Sequence, residues 1–377
     1  MKSFHIWDFP EDIYVLLKSE AKENMFKYLY SKFSCRKNLA KLLHLDPSTV
    51  REYHNGFSDR FGKRWIQYIP IRFFRKIKPY LTKDAIDEIE NSVLAYRPRA
   101  GTPIENPILP IKESPALYRI VGHILGDGSA TKRKVPYYAN TCKDLRKEFI
   151  KDLQVFGKVR VSNRTLSVPI VTFPKAITKV LAHCLEVSLD TKENLPKLTF
   201  SAPKECRAAL LHALFDDEGT CSANLAIKMN GEQLIRDIKM LTENLDIICG
   251  KITIVPNQSG SRGYSFRILN KDFEKFANLV GFSHPKKAEN LKAAIRRRYR
   301  KQRYRPAAEI EQLILNHIET HGKSRTIDLA NVTQLSHGHC LNHLKRMEKK
   351  GRIKRFIEEN KFYRWYLMVS SNGKDNM

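Results

Sequence analysis

The sequence predicts an α+β chain in which a duplicated unit of helix and strands stands between two smaller modules. Three observations predict it. The apolar segments Ile120-Val-Gly-His-Ile-Leu-Gly-Asp-Gly128 and Leu211-His-Ala-Leu-Phe-Asp-Asp-Glu-Gly219 share one pattern. Each has a small residue third (Gly122, Ala213) and a carboxylate before a closing glycine (Asp127, Glu218). Each is followed by short β-branched and aromatic runs at period two with a helical run between them. Outside this duplication, on both sides, lie helical segments with cap and turn signals.

Composition bounds the function. The 377 residues suffice for two or three domains, and 42% hydrophobic residues suffice for a core. A net charge of +27, from 67 Lys+Arg against 40 Asp+Glu, calls for a polyanionic partner, most commonly nucleic acid. The seven cysteines are scattered, odd in number and without CxxC spacing. They fit free thiols in a reducing compartment and exclude a disulfide framework. The acids Asp8, Glu11 and Asp12 are unlike a secretory signal, and no apolar run approaches the roughly 18 residues that span a bilayer. A cytoplasmic, nucleoid-associated protein is expected, with no membrane contact.

Residues 1–95 read as an all-helical domain. Ile13–Leu17 opens one helix and Met25–Leu29 another. In Ser34–Tyr53 a short helix ends near His44, a turn holds Asp46-Pro47, and Asp46 or Ser48 caps a second helix. Two short helices about a tight turn form a helix-turn-helix, with Arg51, Lys63 and Arg64 placed to meet DNA. The Pro- and Gly-rich stretch 96–114 reads as an extended linker.

Residues 115–202 and 203–295 are the two repeats. Strands are expected at Val135–Asn140, Lys158–Ser162 and Ser167–Phe173, then at Asn224–Lys228, Lys251–Val255 and Tyr264–Leu269. Helices are expected at Lys143–Phe156 and Gly231–Leu245, and closing helices at Pro174–Leu185 and Lys271–Val280. A lysine follows each closing helix: Lys192 lies 65 positions after Asp127, and Lys287 lies 69 after Glu218. Lys286–Arg305 then holds ten basic residues and one acid, Glu289. It is expected to contact phosphates, with 296–305 as a basic linker.

Residues 306–369 form the last module. Ala308–Thr320 is amphipathic through Ile310, Leu313, Ile314 and Ile318. Thr326–Ala330 is a short helix, Ser336–Lys349 a longer polar one, and Arg352–Ile357 with Phe362–Leu367 a hairpin. This succession looks like a winged helix. The cluster His337-Gly-His-Cys340 and His343 lacks the partner pair of a structural zinc site and reads as a recognition helix. Residues 370–377 are expected to be a disordered tail.

The paired segments resemble the signature of the LAGLIDADG homing endonucleases, over about 180 residues. Lys192-Glu-Asn-Leu-Pro196 and Gly281–Leu291 look like lysine segments of intein endonuclease domains. The chain does not begin with Cys or Ser and has no His-Asn terminus, so the likeness is to the endonuclease part alone, as a free-standing protein. The resemblance implies a tandem, pseudo-twofold αββαββα saddle whose sheets lie along the major groove. It implies that Asp127 and Glu218 ligate catalytic divalent metals, together with Gly126 and Asp217, and that Lys192 and Lys287 act near the scissile phosphates. Oxygen ligands without thiolate favour Mg²⁺ or Mn²⁺. Strand side chains would make base contacts.

The departures are Glu218 for the usual Asp, bulky His123 and His212, and Asp217 where a small residue is usual, with a salt link or looser packing expected there. The DNA-contacting set is completed by Lys158, Arg160, Lys228, Lys251, Arg267, Arg296, Arg297, Arg298, His339, Asn342, Lys345 and Arg346. The expected function is a monomeric, site-specific double-strand DNA endonuclease needing no obligate protein partner. The alternatives are a catalytically silent DNA-binding transcription regulator on the same saddle and an RNA-binding intron maturase.

Overall fold

A computed structural model describes residues 2–58, 64–65, 67–131, 134–165, 167–222, 224–256, 262–299, 306–357 and 363–368. Residues 57–58, 64–65, 297–299 and 363 are described by backbone alone. Contacts divide the chain into two compact units. One comprises Met1–Gly219, Ile227–Phe266 and Leu279–His284; the other comprises Thr220–Ala226, Arg267–Asn278 and Pro285–Met377.

The first unit opens with a mixed α/β layer, which corrects the all-helical expectation for 1–95. Ile13–Leu17 is a strand, antiparallel to Val93–Pro98 with Val15 opposite Tyr96. It is the second strand of a sheet ordered Ile69–Pro70, Ile13–Leu17, Val93–Pro98, Ile104–Glu105. Ile13, Val15 and Leu17 are buried while Tyr14 and Leu16 are half-buried, so the run has a strand's two faces. The stretch 96–114 is likewise not a free linker. It carries Ile104–Glu105 in this sheet and Ile111–Lys112 paired with Ser3–Phe4, and it buries Ile104 and Ile111.

The helices of this layer are α1 (Ser19–Phe33), α2 (Arg36–Leu43), α3 (Pro47–Asn55), α4 (Ile71–Ile77) and α5 (Lys83–Asn91). Leu39, Leu43, Val50 and Tyr53 turn inward from α2 and α3. His44 ends α2 in the left-handed conformation, and the Asp46 carboxylate accepts from Ser48 N at 2.7 Å to start α3. Two short helices, α2 and α3, thus meet about a tight turn. Arg75 on α4 donates to the carbonyls of Trp7 and Phe9 at 3.1 and 2.6 Å, and Asp12 pairs with Lys179 of the next layer.

That layer begins with α6 (Pro115–Leu125) and continues through α7 (Lys143–Asp152) and α8 (Lys175–Cys184) to α9 (Lys204–Glu218) and α10 (Glu232–Glu243). Two four-stranded sheets carry one topology. The first is ordered Gly128–Ser129, Tyr137–Ala139, Pro169–Thr172, Ser162–Thr165. The second is ordered Gly219–Cys221, Leu225–Met229, Arg262–Arg267, Thr253–Pro256. The short strands at 128–129 and 219–221 were not foreseen. Nor is Lys158–Ser162 a strand: only Lys158 bridges, to Glu105, before the strand begins at Ser162. The cause is local, since Lys158 and Arg160 both reach Glu105.

In the second unit α11 (Phe273–Leu279) and the basic α12 (Pro285–Tyr299) precede a winged helix-turn-helix. Its helices are α13 (Ala307–His321), α14 (Thr326–Thr333) and α15 (His337–Lys349). Its sheet is ordered Ser324–Arg325, Tyr363–Leu367, Ile353–Ile357, with Arg355 opposite Trp365. Ile310, Ile314, Leu329, Leu344, Met347 and Trp365 form the core, and Trp365 Nε1 donates to Thr326 Oγ1 at 2.9 Å. Glu311 accepts from Lys350 and Arg352 at 2.9 and 2.8 Å.

No helix among the described residues is long and apolar enough to cross a membrane. The expected tail 370–377 lies outside the described residues.

Candidate functional site

α6 is apolar around most of its circumference, and α9 buries an apolar middle from Ala208 to Phe215 broken only by His212. They cross where both motif copies carry a small residue. A Cβ on Gly122 would stand 2.7 Å from Ala213 Cβ and 2.7 Å from the Leu210 carbonyl. Only glycine lets the backbones approach this closely. Both helices stop at a glycine, Gly126 and Gly219, and the motif acids Asp127 and Glu218 flank these ends.

The seam just before these ends is polar. Asp217 presses on Gly126, where a Cβ would meet its Oδ2 at 2.7 Å. A bulky acid on one helix is thus matched by a bare backbone on the other. The Asp217 side chain has no solvent exposure and is fully engaged. Its Oδ1 accepts from Tyr138 Oη at 2.7 Å and from Asn140 Nδ2 at 3.2 Å, and its Oδ2 meets His123 Nδ1 at 3.0 Å. Burial and then the Asp217 charge push the Tyr138 phenol far above its ordinary pKa, so it stays a proton donor.

Two residues expected beside the metal, Asp217 and Gly126, already have partners of their own. Asp217 spends its oxygens on the seam. Gly126 spends its carbonyl on Lys192, whose ammonium donates to the Gly126 and Gly128 carbonyls at 2.7 Å each. Where a salt link was expected as one outcome at Asp217, a hydrogen bond to His123 is found.

Asp127 is half-buried and accepts from Asn140 Nδ2 at 2.9 Å. Asn140 therefore bridges Asp217 and Asp127, while its own Oδ1 accepts from Cys142 N at 2.8 Å. Sequence reasoning missed Asn140; it follows a strand, and Asn230 follows the matching strand of the second repeat. That correspondence was the available signal. Lys192 adopts a left-handed backbone conformation with φ of 54°. Burial lowers its pKa, while Glu218, then Asp127, then Asp217 pull it back up. One ammonium thus lies within electrostatic range of both motif-terminal acids. Lys287 lies half-buried in the first turn of α12, in the other unit.

The structure places the expected DNA contacts unevenly. Arg51 is exposed on α3, whereas Lys63 lies outside the described residues and Arg64 is described by backbone alone. Lys158 and Arg160 are exposed but pair with Glu105 at 3.6 and 2.6 Å. Lys228 donates to the Pro256 carbonyl at 3.3 Å; Lys251, Arg267 and Arg296 are exposed. Arg297 and Arg298 continue α12, described by backbone alone. His339, Asn342, Lys345 and Arg346 share the exposed side of α15.

Asp216, also missed, holds the turn after α11: its oxygens accept from Ser283 N at 3.0 Å and His284 N at 2.9 Å.

A search of curated proteins finds 25% identity over 245 residues to a probable translation initiation factor IF-2 of Thermococcus kodakarensis. The aligned part is 61% of this chain and 20% of that protein, so the chain spans about a fifth of the length of the curated relative it matches. Among solved structures, the homing endonuclease I-DmoI in complex with DNA and Mn aligns at 17% identity, covering 46% of this chain and 99% of that one, with a TM-score of 0.35. Full-length DUF199/WhiA from Thermatoga maritima aligns at 12% identity, covering 63% and 92%, with a TM-score of 0.36. Residues 308–354 match the winged helix-turn-helix DNA-binding family, which is the fold observed for α13 to α15 and the first strand of the wing.

Proposed function

We propose that the chain is a site-specific, divalent-metal-dependent DNA endonuclease of the LAGLIDADG type. The observation that carries this reading is the crossed pair α6 and α9, which ends in Asp127 and Glu218 with the Lys192 ammonium in reach of both charges. An all-oxygen set of two carboxylates fits Mg²⁺ or Mn²⁺, and Asn140 orients one of them. Bound there, the ion would supply charge neutralisation on the phosphoryl oxygens and a polarised water.

The chain's own groups do the rest. Lys192, anchored by two carbonyls, would offer positive charge beside the acids where negative charge develops on the phosphate. Because one chain carries both motif copies, it presents two acids without a second copy, which supports a monomer that cuts both strands. The winged helix-turn-helix supplies duplex binding, with α15 as its reading helix. A cytoplasmic, nucleoid-associated setting follows from that partner.

The test is selection of cleaved sites from a randomised duplex pool with Mg²⁺. Asp127→Asn and Glu218→Gln should each slow cleavage by roughly 100-fold or more, about 3 kcal/mol of transition-state stabilisation, with binding largely kept. Parent-rate cleavage by both variants would remove the metal assignment.

A second reading has its own support. The Asp217–His123 pair makes the seam a structural lock at a position the endonuclease signature keeps small. On this reading the saddle only reads DNA, as a transcription regulator. Tight Mg²⁺-independent binding, with no cut recovered from the pool, would favour it.

A further inference from the structure

Within the second motif copy, ahead of Glu218, two further side chains gather with a third from α7. His212 and Asp216 lie one turn apart on α9, and Glu148 faces them from α7. One ligand atom from each lies within 4.8 Å of the others. His212 Nδ1 contacts the Val280 carbonyl at 2.7 Å, and a carbonyl can only accept, so Nδ1 carries the hydrogen. In the neutral ring Nε2 is then the lone-pair nitrogen, facing Asp216 Oδ2 at 3.1 Å. A histidine whose far nitrogen donates to a backbone carbonyl is oriented as metal-ligating histidines are.

Two facing acceptors repel, so a cation must separate them: a second proton on the ring or a metal ion. The Ser283 hydroxyl at 2.9 Å can donate to Nε2, but it does not relieve the Asp216 contact. Arg119 stands 3.5 Å from Glu148 but is committed to Asp152 through bonds of 2.8 and 2.6 Å. Asp216 is locked by the Ser283 and His284 amides, so the oxygens are preorganised. The 3.1 Å spacing of Nε2 and Oδ2 is close to the edge of a tetrahedron whose ligands lie at zinc distances, about 3.3 Å.

We infer that Glu148, His212 and Asp216 form a structural transition-metal site, of the Zn²⁺ class, that ties α7 to α9 and to the turn at Val280–His284. An imidazole with two carboxylates selects Zn²⁺ over Mg²⁺, so this site differs in chemistry from the one at Asp127 and Glu218. Its fourth position falls to Ser283 Oγ or to water, since His212 is partly open to solvent.

The test uses the full chain in an Asp127→Asn, Glu218→Gln background, stripped by chelation and titrated with Co²⁺ alone. The site predicts one Co²⁺ per chain with the intense visible bands of a tetrahedral ion, displaced by Zn²⁺, and a higher melting midpoint with Zn²⁺. Glu148→Gln should weaken Co²⁺ binding at least tenfold while the fold is kept, since Glu148 is half-exposed. Absence of the bands at saturating Co²⁺, or bands of unchanged affinity in Glu148→Gln, would overturn the site. Nitrogen NMR of the ring, showing both nitrogens protonated with Zn²⁺ present, would assign the position to a proton.

Discussion

Asp217 is the residue on which the seam between the two repeats turns. Its carboxylate is shut off from water and satisfied by Tyr138, Asn140 and His123. Removing one partner from such a cluster leaves the others buried and unpaired, at about 1–3 kcal/mol. Asp217→Ala should therefore unfold several degrees earlier than the parent, with Asp217→Asn less affected, in calorimetry. Equal midpoints would mean that the pair contributes nothing. That Lys192 lies within electrostatic range of both motif acids was foreshadowed by the recurrence of acid and lysine at similar separations, 65 and 69 positions. Asn140 was not, since a polar residue after a strand has many ordinary uses. Nor was the role of Asp217, because it depends on Gly126, 91 positions away in sequence and opposite it only in three dimensions.

At the same scale, Glu311 gives the winged helix a pH dependence. Its hydrogen bond to Lys350 comes first among the influences that hold its pKa below the usual carboxylate value, with Arg352 adding to it against the effect of burial. A depressed folded-state pKa stabilises above the unfolded value and loses that contribution as pH falls through the folded one. The melting midpoint of the second unit should fall as pH is lowered below the ordinary carboxylate range. Glu311→Gln should flatten that dependence.

Helices α6 and α9 depend on a contact with no slack. Gly122→Ala would place a methyl 2.7 Å from a Cβ and from a backbone carbonyl, and neither can rotate away. The helices must part, at a cost of about 1–3 kcal/mol, and the acids at their ends must shift with them. Lower stability together with slower cleavage is the expected result; an unaltered melting curve would contradict the crossing. The small third residue in each motif made this contact legible. Ile13–Leu17 was misread because five apolar residues fit either a helix or a strand, and its partner Val93–Pro98 is far along the chain. The stretch 96–114 misled for a related reason: its prolines suggest a linker, while two short strand pairings and buried isoleucines hold it in place.

For the whole molecule, a charge of +27 and a winged helix-turn-helix at 308–354 give two sources of duplex affinity. Contacts from α15 should read sequence or phosphate, whereas the general surplus should only attract. Lys345→Ala and Arg346→Ala should each reduce the slope of log affinity against log salt by roughly 1 if they meet phosphates. Asn342→Ala should instead relax base preference. Filter binding over a salt series distinguishes these outcomes, and unchanged slopes and preference would move the reading surface elsewhere. The winged helix was legible as a succession of patterned helices and a hairpin. The division into units was not, because it depends on contacts among distant segments.

The proposed endonuclease stands or falls on Asp127 and Glu218 forming one catalytic centre for phosphodiester hydrolysis. The most direct measurement is strand-resolved cleavage of a selected duplex in Mg²⁺ by the parent and by Asp127→Asn and Glu218→Gln. The parent should cut both strands, and each variant should bind the duplex but lose at least about 100-fold in cleavage rate. Variants that cut both strands as fast as the parent would contradict it.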